Sequence, residues 1–315
     1  MQEATEMYNR ESDRSCIIVK DFHGKQLLGY WYYTLRFART QRRVIPAFLS
    51  GIKTRIAAFS SLPDPIFILG SPRSGTTYLG ELLEELPEVS YYFEPPLLKY
   101  LARNLYTNSP LTSSTKILYK LVFRTLLFFA PGTGRQIVEK NPNHTFVYNE
   151  LLKIYPNSKF IIITRDGTDV ASSLLNKPWH LKSSENSGKR EPGGYLYGPY
   201  PHFYIEKERQ EEYYDTHDSH RCLWVWKRHN DAIQSLKNTV PRDKFFELSY
   251  ENLVSTPGNI IPKMIEFLGI HNKESVGSVQ ESSKRGKIES IGNGKTLLEN
   301  LDLSKMQKEV EALNN

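Results

Sequence analysis

The sequence predicts an α/β protein: a central parallel sheet with helices on both faces and a P-loop-like nucleotide-binding turn after its first strand. Two apolar runs, PIFILG (65–70) and KFIIIT (159–164), are short and β-branched with no polar face. Strands of that kind belong to a parallel sheet covered on both sides. Each is followed by a segment with helical spacing, the alternation expected of such sheets. The third observation is the turn itself, GSPRSGTT from Gly70 to Thr77, which is rich in glycine and hydroxyls.

In chain order, residues 1–24 are polar, and 30–62 are basic with interleaved aromatics, suiting one or two amphipathic helices broken at Pro46 and Gly51. Residues 1–60 read as a polar and basic helical extension, and 61–315 as one α/β domain. Within that domain a helix is expected from Thr76 to Leu86. The apolar stretch 117–130 holds Lys120 and Arg124 and is too short to span a bilayer, so a half-buried helix is expected there. A helix over 144–155 precedes the strand 159–164, and His144 at its start reads as a cap or solvent residue. Helices follow over 168–175 and 220–238. A strand over 244–249 leads into a helix ending near Gly269.

Between Pro178 and His217 the periodicity dissolves into a Gly-, Pro- and Tyr-rich insertion. Insertions of this length in a compact domain are usually functional. Tyr195, Tyr197, Tyr200 and Tyr204 suit either stacking on a sugar or packing within the insertion.

The chain has 315 residues, 39% of them hydrophobic, and a net charge of +6. That balance suits an anionic ligand or an anionic surface. Two cysteines, Cys16 and Cys222, make no metal or disulfide framework. The start of the chain is not built as a signal peptide. A cytoplasmic location is expected, with peripheral membrane contact compatible with the basic aromatic stretch.

The turn after the first strand carries the chemistry. Gly70 and Gly75 have the P-loop separation and Thr77 holds the hydroxyl slot, but Thr76 replaces the lysine and Arg73 stands inside the loop. Backbone N–H groups of Ser74, Gly75, Thr76 and Thr77 at a helix N-terminus suit a phosphate, with Arg73 as a bidentate partner. The missing lysine argues against ATP or GTP hydrolysis. At the tip of the second strand, RDGTDVASS offers Arg165 and Ser173 for a second phosphate.

Together these motifs resemble the sulfotransferases that use 3′-phosphoadenosine 5′-phosphosulfate (PAPS), nearest to the tyrosylprotein sulfotransferase branch and its bacterial relatives. The resemblance implies that GSPRSGTTYL holds the 5′-phosphosulfate and RDGTDVASS the 3′-phosphate. EVSYYFEP is similar to the segment bearing the catalytic glutamate of that branch, here Glu94. VEKNPNHTF supplies Lys140. SYENLV places Tyr250 where the family approaches adenine, Lys177 falls at a cationic position, and SIGNGK resembles the closing C-terminal segment, with Lys295 as its cation. The implied reaction is in-line sulfuryl transfer to a hydroxyl, with Glu94 as base and Lys140 and Arg73 stabilising charge. It calls for no metal. The expected acceptor is a carbohydrate or glycolipid hydroxyl, with tyrosine as the alternative. No nucleic-acid partner is expected, and a homodimer stays open. The competing readings are a nucleotide kinase with an atypical loop, using Asp166 or Asp169 for magnesium, and a non-catalytic nucleotide-binding protein.

Overall fold

The computed structural model describes residues 63–107, 111–128, 136–191, 195–270, 273–283, 286 and 288–294. The extension 1–60 and Lys295 lie outside the described residues.

Five strands form one parallel sheet: β1 (Ile66–Leu69), β2 (Val89–Phe93), β3 (Gln136–Lys140), β4 (Lys159–Thr164) and β5 (Phe245–Ser249), in the order β2-β3-β1-β4-β5. The two apolar runs are β1 and β4, neighbours at the centre. Their alternate residues enter different cores, which is why neither run shows a polar face. Phe67, Leu69, Phe160 and Ile162 pack on one side with helices α2 (Pro96–Thr107), α3 (Ser113–Phe128) and α4 (Tyr148–Ile154). Ile66, Ile68, Ile161 and Ile163 pack on the other, against α1 (Thr76–Glu84). Full burial of each such side chain contributes about 1.5–3 kcal/mol.

Helix α5 (Gly167–Leu175) follows β4, and the short α6 (Gln210–Asp215) leads to the long α7 (Asp218–Thr239). After β5 come α8 (Tyr250–Ser255), α9 (Pro257–Leu268) and α10 (Lys273–Ser283). The stretch around 117–130 is a half-buried helix as read, with Tyr119, Val122 and Phe123 inside and Ile117 and Leu121 exposed.

Residues 89–93, not read as an element in the sequence, form an edge strand that delivers Glu94. Two readings are corrected. The segment 144–155 is a 3-10 turn (Pro142–Phe146) followed by α4. His144 is fully buried, with Nδ1 2.8 Å from Oε2 of the equally buried Glu139 and Nε2 3.4 Å from the Tyr119 hydroxyl. It anchors the turn behind β3 instead of meeting solvent.

The insertion has its own core. Tyr195, Phe203, Tyr204, Ile205 and Tyr213 bury against Val170 and Leu174 of α5 and Leu223, Trp224 and Val225 of α7. Tyr195 stacks on His202 with centroids 4.1 Å apart, and Tyr204 stacks on Phe146 at 4.7 Å. These two tyrosines are packing residues. Tyr197 and Tyr200 are only half-buried.

Candidate active site

Parallel sheets bind ligands beyond the carboxyl ends of their strands, and here each strand end delivers a candidate residue. β1 runs into the loop 70–77. Phe93 of β2 is in register with Lys140, the last residue of β3, so Glu94 falls one step past that pair. Thr164 of β4 is in register with Ser249 of β5, so Arg165 and Tyr250 emerge side by side. The Arg165 guanidinium lies 4.6 Å from the centre of the Tyr250 ring.

The loop is held by one of its own hydroxyls and by one from the 3-10 turn after β3. Ser74 Oγ donates to Ser71 O at 2.7 Å, and the Gly70 N–H donates to Thr145 Oγ1 at 3.4 Å. Gly75 is the N-cap of α1, at φ 92° with no side-chain cap. The first N–H groups of α1 therefore have no side-chain oxygen at the cap position, the arrangement that suits an anion. A Cβ on Gly75 would come within 2.4 Å of the Tyr250 ring, so the loop is pressed against that tyrosine.

Arg73 connects the two motifs. Its backbone is left-handed (φ 71°), its Nε donates to Ser173 Oγ at 3.0 Å, and its carbonyl accepts from Arg165 Nη1 at 3.3 Å. Burial, and next the positive charge of Arg165, pull the Arg73 pKa down from its ordinary value. Two guanidiniums crowded at one edge call for an anion. Arg165 Nη2 donates to Ser290 O at 2.6 Å, while its buried Nε has no hydrogen-bond partner among the described residues. Asp166 caps α5, accepting from the N–H groups of Thr168 and Asp169 at 2.9 and 3.0 Å. The N-terminus of α5 is therefore filled by its own cap, and the RDGTDVASS motif offers a ligand side chains rather than a helix end.

Asp169 was read only as a carboxylate for the kinase alternative. Its buried carboxylate accepts from Gly292 N at 2.8 Å and Gly294 N at 2.7 Å, fixing the segment 290–294 beside Arg165. No local signal announces this tie. Lys177 is half-buried, and its side chain makes no hydrogen bond or ion pair among the described residues.

On the other side of β1, Glu94 sits in a left-handed backbone conformation (φ 42°), its N–H donating to Lys140 O at 2.8 Å. Among the described residues only Arg73, Glu94 and Asn186 are non-glycines at positive φ. Such strain costs on the order of 1–3 kcal/mol and concentrates at functional sites. Glu94 Oε1 pairs with the Lys140 ammonium and Oε2 with Lys99 at 2.9 Å. Burial alone would raise the Glu94 pKa, but Lys99 and Lys140 outweigh it and bring it to about 2. Burial lowers that of Lys140, opposed by Glu94.

Residues 65–190 match the family model described as Sulfotransferase family. The protein-tyrosine sulfotransferase of Drosophila melanogaster is 18% identical over 245 residues, covering 74% of this chain and 43% of that protein. The nodulation protein NoeE of Sinorhizobium fredii is 29% identical over 133 residues, 36% of this chain and 32% of the relative. The match thus spans less than half the length of these two curated relatives. Sulfotransferase STF9 from Mycobacterium avium has a similar fold, with TM-score 0.54, 16% identity, and coverage of 94% of this chain and 86% of that one. Over residues 65–190 the chain is similar to the sulfotransferase family.

Proposed function

We propose that the protein transfers a sulfuryl group from PAPS to an acceptor hydroxyl. The observation that carries this reading is the junction of the two cradles, in which Arg73 from the first loop is hydrogen-bonded to Ser173 of the second motif and crowded by Arg165. Two linked anion sites suit a nucleotide phosphorylated at both ends of its ribose. The residues fit such a donor: among the described residues the buried Arg165 Nε lacks a partner, and Tyr250, packed against Gly75 and Arg165, lies where the two motifs meet. Loop residues Ser74, Gly75, Thr76 and Thr77 would hold the 5′ side; Arg165, Ser173 and the segment anchored by Asp169 would hold the 3′-phosphate.

The donor supplies an activated sulfuryl group and a phosphate that leaves with its bonding electrons. Glu94 accepts the acceptor's hydroxyl proton on a carboxylate oxygen. With its pKa near 2 it is ionised at neutral pH, the form a base needs. Lys140 and Arg73 stabilise the charge that develops on the transferred group and the leaving phosphate. Engaging Lys140 with the anionic donor frees Oε1 of Glu94 and makes it a stronger base.

The kinase reading is disfavoured by the same geometry. Thr76 occupies the lysine slot and is buried, Asp166 is spent as a helix cap, and Asp169 is held by two glycine N–H groups. The acceptor we favour is a carbohydrate or glycolipid hydroxyl. A tyrosine acceptor is the second reading, favoured by the protein-tyrosine sulfotransferase among the relatives. Incubation with ³⁵S-labelled PAPS and a panel of glycans, glycolipids and tyrosine peptides tests both. Label on one class, lost in Glu94→Gln, supports transfer; no label on any hydroxyl refutes it.

A further inference from the structure

The insertion reaches the catalytic carboxylate. Residues 189–191 pair antiparallel with 195–197 as the two arms of a small hairpin: Tyr197 N donates to Lys189 O at 2.9 Å, Glu191 N to Tyr195 O at 2.9 Å, and Arg190 bridges Leu196. The hairpin docks on α2 at two points one helical turn apart. Glu191 Oε2 lies 3.6 Å from the Lys99 ammonium, and the Tyr195 ring lies 5.3 Å from the Arg103 guanidinium. Lys99 and Arg103 are both buried, at 6% and 1% exposure. Two cations in one turn of a buried helix face are costly unless anions meet them. Lys99 is met from two directions, by Glu94 after β2 and by Glu191 from the hairpin.

We propose that Lys99 is a positioning residue for Glu94 and that Glu191 is its counter-clamp, so that the insertion 178–217 completes the active site. The proposal rests on the reading of Glu94 as proton acceptor and goes beyond it. Lys99 holds Oε2, which orients the carboxylate while Oε1 faces Lys140. Glu191 shares the Lys99 charge and thereby limits how far Lys99 weakens Glu94 as a base. The groups that face Glu94 are Lys140 from β3 with Glu139 behind it, Lys99 from α2, Glu191 from the hairpin, and Tyr91 from β2. Burial raises the Glu191 pKa, with Lys99 opposing, so the two carboxylates around one lysine are driven apart in basicity. A movement of the hairpin on acceptor binding would therefore change the strength of the base.

The test is a pH titration of the whole protein labelled with ¹³C at the glutamate carboxyls, the Glu94 signal being assigned by its loss in Glu94→Gln. In the wild type that signal stays at the ionised position down to pH 4. In Lys99→Met its midpoint moves up by about 1–3 pH units. Lys99→Arg returns it toward the wild type, and Lys99→Met with Glu191→Gln brings it below the single variant. An unmoved midpoint in Lys99→Met overturns the proposal. Glu191→Gln alone keeps every charge on α2 and is read at the ¹⁵N signal of the Lys99 ammonium, which must shift; an unmoved signal overturns the clamp even where Lys99→Met does not fold. Binding of adenosine 3′,5′-bisphosphate is a separate arm. Tight binding that Lys99→Met leaves within about twofold supports a role confined to the acceptor side, whereas a larger loss overturns that assignment. Failure of the wild type to bind the nucleotide refutes the sulfotransferase reading without touching the Lys99–Glu94 geometry.

Discussion

The guanidinium Nε of Arg73 donates to the hydroxyl of Ser173 at 3.0 Å across a sequence separation of 100 residues. The bond joins the turn after β1 to helix α5 after β4. In the proposed reading it joins the two motifs into one extended anion site.

Removing the charge at either cradle should weaken nucleotide binding. Arg73→Met and Arg165→Met are each expected to cost about 1.5–3 kcal/mol, roughly a 10- to 150-fold loss in affinity for adenosine 3′,5′-bisphosphate. Calorimetric titration reads this directly. Because the Arg165 guanidinium donates to the Arg73 carbonyl, the two positions are coupled and the double variant should lose less than the sum.

Gly75 tolerates no side chain. Gly75→Ala combines φ 92° with a 2.4 Å approach to the Tyr250 ring and should destabilise by about 1–3 kcal/mol. Adding Tyr250→Ala is expected to relieve the clash but not the backbone strain. A partial recovery in thermal melts is therefore predicted; full recovery would show that the left-handed conformation is not required.

Loss of Glu94 or Lys140 should act on turnover more than on donor affinity. Glu94→Gln and Lys140→Met are each expected to slow transfer by on the order of 10²–10³-fold. Single-turnover kinetics with labelled donor would check this. The pH response carries its own sign. The folded-state pKa of Glu94 is about 2 against an ordinary 4.5, so its contribution to stability is complete above pH 4.5 and lost as pH falls toward 2. Glu94→Gln should flatten that part of the stability curve.

Buried histidines of the insertion and of α7 predict a second acid sensitivity. Burial lowers the pKa of His202 well below 6.5, that of His180 to about 3 and that of His229 to about 4. Their neutral forms are favoured by folding, so stability falls as pH drops below 6.5. The slope approaches about 1.4 kcal/mol per pH unit for each group fully protonated in the unfolded chain. Denaturant melts between pH 7 and 5 should show it, and His229→Phe should reduce it.

Much of this arrangement was legible in the sequence because it is written locally. β1 and β4 are runs of β-branched and aromatic residues, and the glycine-rich turn sits where the first run meets a helix. β2 and β3 were not legible. QIVEK ends in Glu139 and Lys140, which argue against a buried strand until His144 and Glu94 arrive to pair with them. The sequence likewise makes Asp169 one more acid near a helix start. Its role as the anchor of Gly292 and Gly294 depends on a contact between distant segments. Glu191 lay in a stretch without periodicity, and its approach to Lys99 follows from the hairpin's docking rather than from any motif. Buried charges with non-local partners are the common thread in what pattern reading missed.

The central claim is that two cradles clasp the two ends of one nucleotide, and calorimetry on matched nucleotides tests it most directly. Adenosine 3′,5′-bisphosphate should bind the wild type at least about tenfold more tightly than adenosine 5′-monophosphate, the least that one charge-assisted phosphate contact supplies. Arg165→Met should erase that difference while leaving the monophosphate's affinity unchanged. Equal binding of the two nucleotides by the wild type would contradict the account.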